Sequence, residues 1–166
     1  MRAEEVRVRA LASDDLDACW EIEREAYPNP WRRDHFDELL DLDAGLGLAA
    51  VDQDDGILGY ALGWVVTDEA ELANIAVEAS WRRRGIGARL LYAFAREAER
   101  RGAERVWLEV RESNAEARRF YDRHGFLMVG RRRGYYDRPR EDAIVMAADP
   151  ADLEEADEGR GLVRDT

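Results

Sequence analysis

Arg82-Arg83-Arg84-Gly85-Ile86-Gly87-Ala88, following the apolar run Asn74-Ile75-Ala76-Val77, has the composition of a turn that grips an anion. Glycines at this spacing remove Cβ atoms from the bend, so several backbone N–H groups can converge on one phosphate. A helix opening there adds its unpaired first-turn donors and the positive end of its dipole. The arginines bring charge suited to a polyphosphate. The same residues also describe an arginine-decorated turn before an ordinary surface helix. Further on, Trp107-Leu108-Glu109-Val110-Arg111 sets a carboxylate inside an alternating strand. Leu108 and Val110 share one face; Trp107, Glu109 and Arg111 share the other. If that second face lines a cleft, Glu109 is desolvated and its pKa rises toward that of a general base. Otherwise it is a surface carboxylate paired with Arg111 or with an arginine on a neighbouring element. Tyr121 is the third candidate: a phenol beside a departing anion can donate a proton, and a lone helical tyrosine equally fills a core.

Those groups need a frame, and the hydrophobic pattern predicts one. Val6 to Leu11 alternates as a strand. Ser13 is expected to cap a helix running to Ala26, with Asp14 and Asp15 against its dipole. Tyr27-Pro28-Asn29-Pro30-Trp31 must break that helix, and a second short one is expected from Asp34 to Leu40. Leu46 to Val51 and Ile57 to Val66 read as a hairpin joined at Asp54-Asp55-Gly56. Glu71 to Val77 is the next strand. After the glycine turn, Ile86, Leu90, Leu91, Phe94, Ala95 and Ala98 form one apolar helical face, stopped at Gly102. Arg105 to Arg111 is a strand, and Ser113 with Glu116 fits a capping box for a helix ending at Gly125. Phe126 to Val129 and Ala143 to Ala147 are expected as antiparallel neighbours. Elements in this order make an α/β domain with a mixed sheet.

The chain of 166 residues suits one domain, taken as residues 1–148. An acidic tail at 149–166 is expected to hold a helical turn at most, then disorder. The net charge of -12 argues against attraction to nucleic acid phosphates and favours a basic peptide or amine as partner. All 25 basic residues are arginine, which fits a salt-rich cytoplasm or a GC-rich genome. Cys19 stands alone, so an internal disulfide or thiolate cluster is excluded, and it is expected to be a small buried hydrophobe. His35 and His124 lack partners at ligand spacing, so no metal is expected. No apolar run nears the roughly 20 residues of a membrane span, and the polar start is unlike a signal peptide. A soluble cytoplasmic protein, monomeric or weakly dimeric, is expected. Met128 and Met146 are expected in the core. Trp31, in the proline turn, is a candidate pocket wall. Tyr135-Tyr136, expected on a loop between the last two strands, is a candidate recognition pair.

Arg82-x-x-Gly85-x-Gly87-Ala88 after Asn74-Ile75-Ala76-Val77 resembles the coenzyme A signature of the GCN5-related N-acetyltransferases, the GNAT superfamily. Leu108-Glu109-Val110-Arg111 with Asn114, Phe120-Tyr121 with Gly125-Phe126, and Tyr135-Tyr136 with Glu141-Asp142-Ala143-Ile144 are similar to its ribosomal-protein-alanine branch. The likeness covers residues 6 to 147. It implies a GNAT fold: a mixed, mostly antiparallel sheet splayed in the middle and flanked by helices. It implies acetyl-CoA as co-substrate, its pantetheine on the backbone of Ile75, Ala76 and Val77 and its pyrophosphate on the amides from Arg83, Arg84, Gly85, Ile86 and Gly87 to Ala88. Arg82 and its neighbours would help, and Asn114 would hold the pantetheine arm. By the same likeness Glu109 is the base and Tyr121 the acid. The implied acceptor is the N-terminal alanine of small-subunit ribosomal protein eighteen. A small-molecule amine acetyltransferase of the same fold, or a catalytically silent coenzyme A-binding module, are the competing readings.

Overall fold

The computed structural model describes residues 5–155. One seven-stranded sheet runs through it, comprising β1 (Arg7–Ala10), β2 (Gly45–Val51), β3 (Ile57–Val66), β4 (Glu69–Val77), β5 (Arg105–Arg111), β6 (Leu127–Tyr136) and β7 (Glu141–Ala148). Their order across the sheet is β1-β2-β3-β4-β5-β7-β6. Every pairing is antiparallel except β4 with β5. Helices α1 (Leu16–Ala26) and α2 (Arg33–Asp41) pack on one face, and α3 (Ile86–Arg100) and α4 (Ala115–Arg123) on the other. The six apolar residues expected on α3 are all buried, as the 3.6-residue period requires. Cys19 is buried among Leu16, Ile22 and Phe36.

Several local expectations are corrected. Ser13 does not cap α1: Ser13–Asp15 forms a separate 3-10 turn, and the Asp15 carboxylate binds the Arg9 guanidinium and the Ala12 N–H. Ser113 does not cap α4 either, because the Glu141 carboxylate takes both its N–H and its hydroxyl. The cap is Asn114, whose Oδ1 accepts from the Ala117 N–H at 3.1 Å. Strand β6 runs on through Tyr136, so Tyr135 and Tyr136 sit at a strand end rather than on a loop. Bulges between Met128 and Gly130 and between Arg132 and Tyr136 disrupt the period that would have revealed it. Met128 is 51% exposed because β6 is the edge strand, whereas Met146 is buried. The packed body also extends past the expected boundary at 148. Pro150–Asp152 forms a 3-10 turn and Leu153 inserts into the core. The rest of the expected tail, residues 156–166, lies outside the described residues.

Strand β4 carries the feature that shapes the site. Its register against β3 shifts between Leu62–Asn74 and Gly63–Leu72, so Ala73 is an extra, bulged residue. Gly63 makes room for it. A Cβ there would stand 1.9 Å from the Glu71 carbonyl oxygen and 2.7 Å from Phe94 Cζ. Gly63→Ala should therefore destabilise the protein by about 2–4 kcal/mol, read as a lowered denaturant midpoint, because neither backbone nor aromatic ring can yield cheaply.

Candidate active site

Strands β4 and β5 pair in parallel only at Glu69–Arg105, Ala70–Val106 and Glu71–Trp107. Beyond Glu71 they part, and β7 becomes the only ladder partner of β5. The far half of β4 then has one edge on β3 and one edge on the gap. The Glu78 N–H bonds the Leu58 carbonyl at 2.8 Å, which fixes the alternation. Ala76 turns its backbone toward β3, while Ile75 and Val77 turn theirs to the gap. Side chains already reach both gap-facing carbonyls. The Tyr27 hydroxyl donates to Ile75 O at 2.5 Å, and Arg82 Nε donates to Val77 O at 3.1 Å. The N–H groups of Ile75 and Val77 are left as the donors of this edge. Ala76, expected as a third backbone contact, pairs with Tyr60 of β3 and is among the residues lining the cavity.

Across the gap's mouth stands the start of α3. Gly85 caps it in the left-handed region at φ 79°, and Arg83 is left-handed as well at φ 62°. The first intrahelical bond runs from Arg89 N–H to Gly85 O, so the N–H groups of Ile86, Gly87 and Ala88 lack an intrahelical acceptor. Gly87 is different from Gly85. A Cβ at 87 would make only ordinary contacts with Phe120 and Val77, so its backbone conformation does not demand glycine. Arg82, Arg83 and Arg84 are exposed, and the Arg84 guanidinium lies 4.7 Å over the Trp81 ring. The cavity between these elements measures about 680 Å³, in the range of small-molecule sites. It is lined by Ile75 to Val77, Arg82, Arg83, Gly85 to Ala88, Asn114, Phe120 and Tyr121, among others. Asn114 spends its carbonyl on the cap of α4, which leaves its amide N–H groups for the cavity.

On the other face, a buried carboxylate holds the proline turn against β4. Glu23 is 1% exposed and accepts from the Tyr60 hydroxyl at 2.5 Å, Asn74 Nδ2 at 2.6 Å and the Trp31 N–H at 3.0 Å. Three donors offset the cost of burying that charge. The turn so anchored presents Tyr27 and Trp31, and Asn29 Nδ2 bonds the Arg138 carbonyl at 2.8 Å across the face. Arg111 fixes the opposite wall. It binds Glu141 at 3.0 Å and the carbonyls of Pro139 and Asp137, and lies 4.3 Å over the Tyr136 ring. Arg111 is thus not the partner of Glu109.

Glu109 is flanked instead by Arg132 from β6, whose Nε lies 3.3 Å from Glu109 Oε2 without hydrogen-bond alignment. The side chain is nine-tenths buried and Oε2 has no hydrogen-bond partner. A second carboxylate shares this face. Glu71, half-buried, is pushed up to about 7 by burial and by the negative charge of Glu109, with Arg132 opposing. Burial also raises the phenols. Tyr136 is pushed up to about 12, and Tyr121 is raised by burial and by the neighbouring Tyr27 and Tyr136. Tyr121 therefore stays protonated at any ordinary pH. Its ring packs on Phe120 and Phe126 at 5.3 and 5.6 Å.

The cavity thus gathers the glycine turn, the edge of β4, Asn114 and Tyr121. Glu109, Trp31, Tyr135 and Tyr136 lie outside its lining, on the side covered by the proline turn and β6, and Arg84, stacked on Trp81, is not among the lining residues. Sequence reading missed Tyr27, Trp81, Glu71, Arg132 and the role of Glu23. Only Glu71 left a signal: alternation with the buried Ala70 and Leu72 sets a carboxylate on the other face of β4. Among the described residues no group of three or more His, Cys, Asp or Glu could hold a metal ion, and no helix is long and apolar enough to cross a membrane.

A central sheet that parts between two parallel strands, with a helix N-terminus at the opening, defines an acetyltransferase architecture. The profile of the Acetyltransferase (GNAT) family matches residues 16–126, and the chain belongs to that family. It is 41% identical over 143 residues to the [ribosomal protein bS18]-alanine N-acetyltransferase of Salmonella typhimurium, covering 84% of this chain and 95% of that one. The crystal structure of the ribosomal-protein-S18-alanine N-acetyltransferase from Escherichia coli is 37% identical, with a TM-score of 0.80 over 87% of this chain and 93% of that one. Arabidopsis thaliana NAA60 in complex with acetyl-CoA shares the fold at 19% identity, with a TM-score of 0.79 over 87% of this chain and 98% of that one.

The Glu71 carboxyl makes stability depend on pH in a defined direction. Its folded-state pKa is raised from 4.5, so its contribution is complete below that value and is lost as pH rises through about 7. Glu71→Gln should match the parent protein near pH 4 and exceed it in melting temperature at pH 8, as measured by calorimetry at both pH values.

Proposed function

We propose that the protein transfers an acetyl group from acetyl-CoA to the N-terminal α-amine of a protein, the acceptor being the N-terminal alanine of a bS18-type ribosomal protein. The observation that carries this reading is the open β4 edge at Ile75 and Val77 beside the amides of α3's first turn, in one cavity that Asn114 and Tyr121 also line. The residues present fit acetyl-CoA. The edge N–H groups of Ile75 and Val77 can hold the amides of the pantetheine arm as a neighbouring strand would. Asn114 adds an amide donor, and the N–H groups of Ile86, Gly87 and Ala88 with Arg82 and Arg83 suit a pyrophosphate. Acetyl-CoA supplies an activated acyl carbon whose bond to sulfur breaks as its bond to nitrogen forms. Glu109 takes one proton from the acceptor ammonium and frees the lone pair; an α-amine with a pKa near 8 asks only a modest base. Tyr121 gives its proton to the departing sulfur, and its phenolate is restored by the second proton of the nitrogen. Cys19, buried outside the site, takes no part.

The buried Glu109 carboxylate is a costly feature that a silent binding module does not need. The surplus of acidic residues, net -12, suits a basic acceptor chain. The test is incubation with acetyl-CoA and two panels, basic peptides beginning with alanine and small amines, with products read by mass spectrometry. Acetylation at the α-amine of the alanine peptides is expected; modification of small amines alone would overturn the acceptor assignment. Glu109→Gln and Tyr121→Phe should each lower kcat/KM for the peptide by about 10²-fold or more while acetyl-CoA still binds. Unchanged turnover in either variant would remove that residue from its role.

A further inference from the structure

The Glu109 side chain has a buried oxygen with no hydrogen bond, and it faces a second carboxylate that the chemistry above does not use. Glu71 is opposite Trp107 in the last pair before β4 and β5 part, and Glu109 lies two residues further along β5 on the same face. The groups around Glu71 are Glu109 from β5, Arg132 and Tyr135 from β6. Arg132 is half-exposed and is the one cation among them, so two carboxylates share a single counter-charge. Two like charges at the end of a groove disfavour each other unless a cation is to be received between them. An α-ammonium group fits that requirement, being compact, positive and carrying three donors.

We infer that Glu71 and Glu109 together form the seat of the acceptor's α-ammonium group, Glu71 holding the charge while Glu109 takes the proton. This rests on the acceptor reading above. One carboxylate cannot serve both needs, since the proton that leaves neutralises the charge that held the amine in place. With two, the Glu71 charge keeps the nitrogen positioned after Glu109 is protonated. Specificity also follows. A blocked or absent α-amine leaves both carboxylates facing each other with Arg132 as their single counter-charge, and such a peptide is rejected.

The test uses the full chain with coenzyme A bound, an alanine-initiated basic peptide and its des-amino analogue. The intact protein should bind the amine peptide about tenfold more tightly than the analogue, and Glu71→Gln should abolish that preference. In turnover, Glu71→Gln should raise the peptide KM about tenfold, leave kcat within about threefold and leave the acetyl-CoA KM unchanged, with Glu71→Asp restoring part of the loss. The peptide KM of the parent should fall between pH 6 and 7.5, and that of Glu71→Gln should change less. A preserved amine preference in Glu71→Gln, or KM values rising equally for both substrates, would overturn the seat. If the parent acetylates peptides and Glu71→Gln matches it, the seat falls and the acceptor reading stands. If the parent acetylates only small amines and Glu71→Gln raises their KM, the acceptor reading falls and the seat stands.

Discussion

Everything at the site depends on two strands parting. Strand β4 keeps β5 as a neighbour for three residues and then leaves it, which exposes main-chain groups that a continuous sheet would have paired. Buried polar groups without partners are costly, so such an edge persists only where other groups attend to it. Here Tyr27 and Arg82 satisfy the two gap-facing carbonyls and leave the two N–H groups. The bulge at Ala73, made possible by Gly63, lies where the register of β4 shifts at the start of the gap. A groove lined by backbone donors, closed at one end by a helix N-terminus, needs few special side chains to bind a long polar cofactor arm.

The second requirement is to bring an acceptor to the far end of that groove, and buried charge organises this side. Glu23 ties α1, the proline turn, β3 and β4 together through three donors, so the turn carrying Tyr27 and Trp31 is positioned by the sheet itself. Arg111 does the same for the β6–β7 hairpin through Glu141 and two carbonyls. The two walls meet where Asn29 bonds the Arg138 carbonyl. Glu71, Glu109, Tyr135 and Tyr136 belong to the wall between β4 and β6, where carboxylates and phenols face one groove. The cofactor half of the site is therefore built mainly from backbone, and the acceptor half from side chains.

That division explains what was legible in the sequence. The glycine turn, the amphipathic α3 and the alternating β5 all follow from short-range rules, and the bounds of β5 at Arg105 and Arg111 were readable directly. The splayed sheet and the fold came from the motif likeness, not from periodicity. Long-range competition set the errors. Ser113 has the chemistry of a cap but was drawn to Glu141, 28 residues away, and Asn114 took its place. Bulges in β6 hid a ten-residue strand and left Met128 in solvent. A carboxylate interrupting an apolar strand marks Glu109. Glu71 shares its face, but nothing local in the sequence marks the approach of β5.

Amide hydrogen exchange with and without coenzyme A tests the central claim most directly. If Ile75 and Val77 face an open edge, their amides exchange rapidly in the free protein while Ala76, bonded to β3, is slow. Coenzyme A should then slow Ile75, Val77 and the Ile86 to Ala88 amides together and leave Ala76 unchanged. Protection of Ile75 and Val77 already complete without the ligand, or no change on adding it, would contradict the account.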